Sequence, residues 1–367
     1  MNLITRKRGL ASLMLVGASA LVLAGCGAAP EESGTDAPEE VDFLACAVSD
    51  EGDFEDASFN QAAYEGLEKA EAELGIEIEG LTSATAEAFE PNLTQLVADG
   101  CDIIFAIGFN FSLGGENGVI FDFAAANPEQ KFAWLDGWPG PENLQAIVYK
   151  SEEGAYLGGY VAAAYSKTHT IGTYGGAQID SVTAFMDGYV AGAAAYDAEF
   201  GTTTTVLGWD PATATGDFVG NFQDTTVAGA ISDNQIAQGA DVIFPVAGDL
   251  FKATATSIEN SGKDVVMLGV DKNIANAEAT KDLAPVVLTS VEKRMTQAVF
   301  DIIKEAVEGN YTDVPYVGTL ANDGTGLSPF YDFDGDIPQE VKDGIAALTE
   351  QIINGDIVIP LTTNPQS

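Results

Sequence analysis

From residue 43 onward, short apolar runs alternate with amphipathic stretches, and no other feature constrains the fold as tightly. The runs fall at 43–49, 102–107, 131–135, 146–149, 170–174, 204–209, 241–246, 265–270 and 286–289. Most are apolar throughout rather than at every second residue, which is how strands covered on both faces read. Between them lie helical patterns. Phe59, Ala62, Ala63, Gly66, Leu67, Ala70 and Leu74 recur at helical spacing, and Ser58 with Gln61 gives that helix a capping-box start. A later stretch, 291–307, puts Met295, Val299, Ile302, Ile303 and Ala306 on one helical face. Strands alternating with helices specify an α/β fold with parallel, doubly wound sheets. The units are too many for one such sheet, so the pattern predicts two lobes with a break near 150–154.

The first 42 residues read differently. Arg6, Lys7 and Arg8 precede an apolar run at 10–24 that is shorter than the roughly 20 residues of a spanning helix. This is the pattern of a secretory signal, here 1–25. Leu23-Ala24-Gly25-Cys26 matches the bacterial lipobox, which predicts a diacylglyceryl thioether on Cys26 and a membrane anchor. Stable anchoring takes more than one acyl chain, such as an added palmitate. The segment 26–41 is rich in Gly, Ala, Pro, Ser and acidic residues and lacks aromatics, so it reads as a flexible acidic tether. The expected location is the extracytoplasmic face of the cell membrane.

The chain has 15 basic and 56 acidic residues. Without the signal the basic count is 12 and the net charge near −44. Such a surface repels phosphate backbones and excludes nucleic acid as a partner. Enzymatic signatures are missing. The single histidine, His169, sits in a helix-to-strand loop and reads as a surface residue, leaving no general base for a Ser or Cys nucleophile and no His-based metal site. Asp332, Asp334 and Asp336 with Gly335 have part of a calcium loop but misplace its glycine and its glutamate, so they read as an acidic turn. The expectation is no catalysis, no metal and no cofactor. Cys46 and Cys101 fall on or beside strands that would be neighbours. A disulfide and two small buried thiols both fit that placement.

Binding chemistry is better represented. In open α/β sheets ligands sit beyond the carboxyl ends of the strands. Asp50, Gly108, Asp136, Gly175-Gly176, Gly248 and Asp271 follow the strand-like runs in register. Phe59 and Phe222 each stand near the start of a helix, and two aromatic faces across a cleft would suit a flat ring whose N–H and O–H groups meet carboxylates. Lys293, at what reads as a helix start, is unfavourable to the dipole there and suggests a carboxylate partner or a ligand.

Several of these segments resemble one family. Ser49-Asp50-Glu51-Gly52, the run from Asp56 to Gly66, Glu152-Glu153-Gly154-Ala155-Tyr156-Leu157-Gly158, Phe185-Met186-Asp187-Gly188-Tyr189, Ala247-Gly248, Gly269-Val270-Asp271 and Thr289-Ser290 with Lys293 resemble the basic membrane proteins. These are the PnrA-like purine nucleoside receptors of ABC importers, and the resemblance spans about 43–327. It implies a type I periplasmic-binding-protein fold, two Rossmann-like lobes with parallel sheets joined by three crossovers. The lobes would be 43–150 with 291–309, and 151–290 with 310–367. It also implies a purine between Phe59 and Phe222, Asp136 and Asn60 on the base, and Asp50, Gly248, Asp271 and Lys293 on the ribose. The implied partners are a permease and an ATPase. Many relatives follow the Ala-Gly step with Gly-Thr-Gly, whereas this chain has Asp249-Leu250-Phe251, which alters the donors and the room near the sugar. The alternative is the same fold around a sugar or another small ring solute or signal.

Overall fold

The computed structural model describes residues 40–362; the signal segment, Cys26 and most of the tether lie outside the described residues. The chain builds β1 (Leu44–Glu51), α1 (Phe59–Leu74), β2 (Glu77–Ser83), α2 (Phe89–Asp99), β3 (Ile103–Ile107), α3 (Val119–Ala126), β4 (Lys131–Leu135) and β5 (Leu144–Tyr149). It continues with α4 (Ser151–Tyr165), β6 (Thr170–Gly175), α5 (Asp180–Phe200), β7 (Thr205–Leu207) and a two-residue-per-strand hairpin, β8 (Trp209–Asp210) and β9 (Thr215–Gly216). Then come α6 (Thr225–Ala237), β10 (Val242–Val246), α7 (Phe251–Ser261), β11 (Val266–Asp271) and β12 (Val287–Lys293). The last elements are α8 (Met295–Val307), β13 (Tyr316–Gly318), β14 (Thr325–Leu327) and α9 (Gln339–Ile353).

Two six-stranded sheets result, ordered β13-β5-β4-β3-β1-β2 and β14-β12-β11-β10-β6-β7. The first is parallel throughout, and in the second only β14 runs antiparallel. Both repeat one strand order, so β4 corresponds to β11, and the step after β3 corresponds to the step after β10. Strands β3, β10 and β11 are buried along their whole length because apolar clusters cover both faces of each sheet. That double cover explains the continuous apolar runs in the sequence. Gly159 of α4 and Gly192 of α5 face the backbone of the opposite helix, where a Cβ would collide with a carbonyl, so these two helices pack closely.

The lobes connect three times: β5 into α4, β12 into α8, and β13 into β14. This is the expected α/β architecture of two parallel-dominated lobes. The structure amends four expectations. Tyr316–Gly318, expected in the second lobe, pairs in parallel with β5 of the first sheet and completes its edge. Lys293 does not begin a helix; β12 runs on to it because Val291 and Glu292 pair with both β11 and β14 and Lys293 pairs with Thr325 of β14, and α8 starts at Met295. Ser58 is not a capping-box acceptor. Its side chain makes no cap bond, and Asp56 takes the N–H groups of Ser58, Asn60 and Gln61 at 2.8, 3.0 and 3.1 Å. A two-oxygen carboxylate can accept all three donors, which one hydroxyl cannot. Finally, β2 went unread because it is an edge strand with only Ser83 fully buried, so its sequence lacks an apolar run.

Cys46 and Cys101 are joined in a disulfide, with Cα atoms 5.9 Å apart. It fastens β1 to the turn that feeds β3, its neighbour in the sheet. No helix among the described residues is long and apolar enough to cross a membrane.

Candidate ligand site

A cavity of about 500 Å³ lies between the lobes, at the carboxyl ends of the strands. All eight ligand residues singled out in the sequence line it: Asp50, Phe59, Asn60 and Asp136 from the first lobe, Phe222, Gly248 and Asp271 from the second, and Lys293 at a crossover. Both sheets change winding direction beside the strands that reach it, the position at which such sheets hold ligands. His169 is exposed and elsewhere. The Asp332–Asp336 turn is not among the cavity walls, and no cluster of described His, Cys, Asp or Glu side chains suits a metal.

Backbone geometry marks two of these residues. Asp136 follows β4 and Asp271 ends β11, the corresponding strands of the two lobes, and both hold positive φ, 55° and 64°. Non-glycine residues seldom occupy this region; each costs of order 1 kcal/mol or more and persists only where its surroundings impose it. The two lobes therefore present one carboxylate apiece into the cleft from matching, strained turns. Gly108, at φ 122°, has no room for a Cβ because the Asp50 carboxylate fills that space.

Lys293 is the buried cation of the site. Its Nζ donates to both carboxylate oxygens of Asp136 at 2.8 Å, with only 3% and 11% of the two side chains exposed. The rings of Phe59, Phe185 and Tyr149 lie 5.2, 5.4 and 5.8 Å from the ammonium. Cation–π contacts of this kind contribute about 0.5–2 kcal/mol each, with more at desolvated sites. The pair itself roughly balances its desolvation, yet removal of one partner strands a buried charge at about 3–5 kcal/mol. Lys293 thus fits the carboxylate-paired reading.

Asn60 is held by Asp56, which accepts its backbone N–H and, at 3.2 Å, its side-chain amide. The amide oxygen is buried on the cavity wall without a protein partner. Asp56 itself went unread as a site residue, because its role depends on folding back onto the first turn of α1. Phe185 and Lys252 line the cavity as well. Phe185 stands in a segment that resembles the family but carries no polar group to mark it, and Lys252 follows the Asp249-Leu250-Phe251 step on the exposed side of a helix start, so no local pattern points to either as a cavity residue.

Two carboxylates are proton-rich. Burial pushes Asp50 up to about 7, with Asp136, Glu51 and Asp56 adding repulsion and the Asn110 backbone N–H opposing. Burial likewise pushes Asp271 up to about 7; Lys293 opposes the rise, and Asp136 and Asp56 add to it. The chemistry on offer is a set of oxygen acceptors against aromatic walls, with the one buried cation already neutralised. It fits an uncharged, donor-rich ligand and disfavours an anion.

Residues 43–360 match the family model described as ABC transporter substrate-binding protein PnrA-like. The "ABC transporter nucleoside-binding protein BmpA" of Lactococcus lactis is 29% identical over 97% of this chain and 99% of its own length. "Basic membrane protein A" of Borreliella afzelii is 30% identical over 84% of this chain and 89% of its own. An uncharacterized lipoprotein of Pyrococcus abyssi is 30% identical over 90% and 78%. Among solved structures, an ABC transporter solute-binding protein from Aeropyrum pernix superposes with a TM-score of 0.74 at 23% identity, covering 87% of this chain and 94% of that one.

Proposed function

The chain belongs to the PnrA-like family of ABC transporter substrate-binding proteins, solute receptors rather than enzymes, and on that premise we propose that it binds a purine nucleoside between its lobes. The observation that carries the reading is the cavity itself. Asp50, Asp271 and the unpartnered oxygen of Asn60 stand as acceptors within a chamber that also has Phe59 and Phe222 in its walls. In this reading the base stacks between Phe59 and Phe222 and donates to Asn60 and Asp136, while the ribose hydroxyls donate to Asp50 and Asp271 beside Gly248 and Lys293. The name of the Lactococcus relative supports the ligand class. The lipobox at Cys26 and the Pyrococcus lipoprotein support an acylated, extracytoplasmic receptor that hands its ligand to a permease driven by an ATPase.

Calorimetry with adenosine, guanosine, inosine, the free bases and ribose tests the ligand. Heat with one or more nucleosides, and far less with bases or ribose, is expected. No heat with any nucleoside sinks the reading, and heat with ribose alone moves it to a sugar receptor. Incorporation of labelled palmitate in cells, lost on Cys26→Ser, tests the anchor.

A further inference from the structure

Cations are scarce in this chain, so their positions are informative. Of the 12 basic residues after the signal segment, three lysines reach from the second lobe or a crossover to the first lobe across the cleft. Lys293 meets Asp136 inside the cavity. Lys252 of α7 donates to the backbone oxygen of Asp56 at 3.3 Å. Lys272, one residue past β11, donates to Glu65 of α1 at 2.5 Å. Glu65 is also held by Gln61 Nε2 at 3.2 Å, so it is positioned before the lysine arrives. Lys272 and Glu65 are part-buried, with 16% and 33% of their side chains exposed, and neither lines the ligand cavity. One apolar contact accompanies them: Ala57, from the loop ahead of α1, is 2% exposed within a cluster otherwise built from the second lobe.

The need for such contacts follows from the charge. Closing the cleft brings Asp50, Asp56 and Asp136 of one lobe towards Asp249 and Asp271 of the other. Like charges gathered in a desolvated space oppose closure. A solvent-screened pair would do little against this, but a part-buried and pre-positioned pair is screened less. We propose that Lys272 and Glu65 form an interlobe latch, outside the ligand cavity, that holds the closed state and sets how long the ligand stays. They are positioning residues, since neither touches the cavity. Lys252 assists at the rim, and Lys293 is committed within.

The test compares wild type with Glu65→Gln, Lys272→Met and the swapped pair Glu65→Lys/Lys272→Glu. Two readouts are used at 50 mM and 1 M NaCl. Small-angle scattering of the protein as isolated reads the closed fraction. Stopped-flow displacement of inosine reads dissociation. Each single variant should release inosine about tenfold faster with association changed less than twofold, because loss of a short-range pair acts on dissociation. Scattering should show a larger radius of gyration for both singles. The swap should recover most of both effects, and 1 M salt should bring wild type towards the singles. Thermal melting of the singles should stay close to wild type, which separates a latch from a folding contact. Singles that match wild type in radius and dissociation overturn the latch, as does a swapped pair no better than the singles. The inosine arm rests on the nucleoside reading and the scattering arm does not. If inosine gives no signal, whichever nucleoside gives heat in calorimetry replaces it in the displacement arm; if none does, that reading fails and scattering alone decides the latch.

Discussion

At the scale of single residues the site is a compromise over charge. Asp50 and Asp271 titrate near 7 in the folded protein, against about 3.9 for an unperturbed aspartate. Between those values the native state holds more protons than the unfolded chain, so stability falls as pH rises from about 4 to about 7 and levels off beyond. Glu152, pushed by burial up to about 7, acts in the same direction. Thermal melting of ligand-free protein should therefore occur at a higher temperature at pH 5 than at pH 8. Ligand hydroxyls that donate to the two aspartates favour the ionised forms, so binding should release protons and affinity should rise from pH 6 to pH 8. Calorimetry in buffers of different ionisation heat measures this, and an affinity that falls over the range would count against donation to those carboxyls. Phe59→Ala should weaken nucleoside binding by about 1–3 kcal/mol if its ring stacks on a base, a magnitude taken from nucleic-acid sites. Calorimetry with that variant checks it. Lys293 makes a poorer probe, since its loss also strands Asp136 in the interior.

At the scale of elements, the first lobe depends on links that close long stretches of chain. The Cys46–Cys101 bond spans 55 residues and ties β1 to the approach to β3, one of which carries Asp50 at its far end and the other Gly108 just beyond. Replacing both cysteines by alanine should lower unfolding free energy by about 2–5 kcal/mol, measured by urea denaturation, while leaving nucleoside affinity within a few-fold. What was legible at this scale depended on burial. Strands β3, β4, β10 and β11 were readable because helices cover both faces. Strand β2 was not, because it lies at an edge with half-exposed side chains. The end of β12 was misread as helix because pairing with β11 and β14, both non-local, overrides local preference.

At the scale of the molecule, the two lobes are chemically alike and differ in what they contribute. Each offers a carboxylate from the same position of its sheet, Asp136 or Asp271, and an aromatic, Phe59 or Phe222. A ligand that bridges them links closure to binding. Inosine at about 100 times its dissociation constant should stabilise the protein by about 2.7 kcal/mol and reduce its radius of gyration. Differential scanning calorimetry and scattering read the two effects, and stabilisation without contraction would show that binding does not draw the lobes together.

The sequence by itself determined the doubly wound architecture, since burial on both faces of parallel strands imposes continuous apolar runs. It also determined the register of the cleft residues, because a strand's carboxyl end is a fixed point in the pattern. Strand ends, two aromatics near helix starts and an isolated lysine picked out seven of the eight cavity residues, and motif resemblance carried the family, Asn60 and the roles. Only the tertiary structure decided which groups are spoken for: Lys293 by Asp136, the backbone N–H groups of Ser58, Asn60 and Gln61 by Asp56, Glu65 by Lys272. It alone showed the positive φ of Asp136 and Asp271 and the burial that raises two aspartates towards neutrality. Those properties arise between residues far apart in the chain, from desolvation and charge, and no local pattern encodes them.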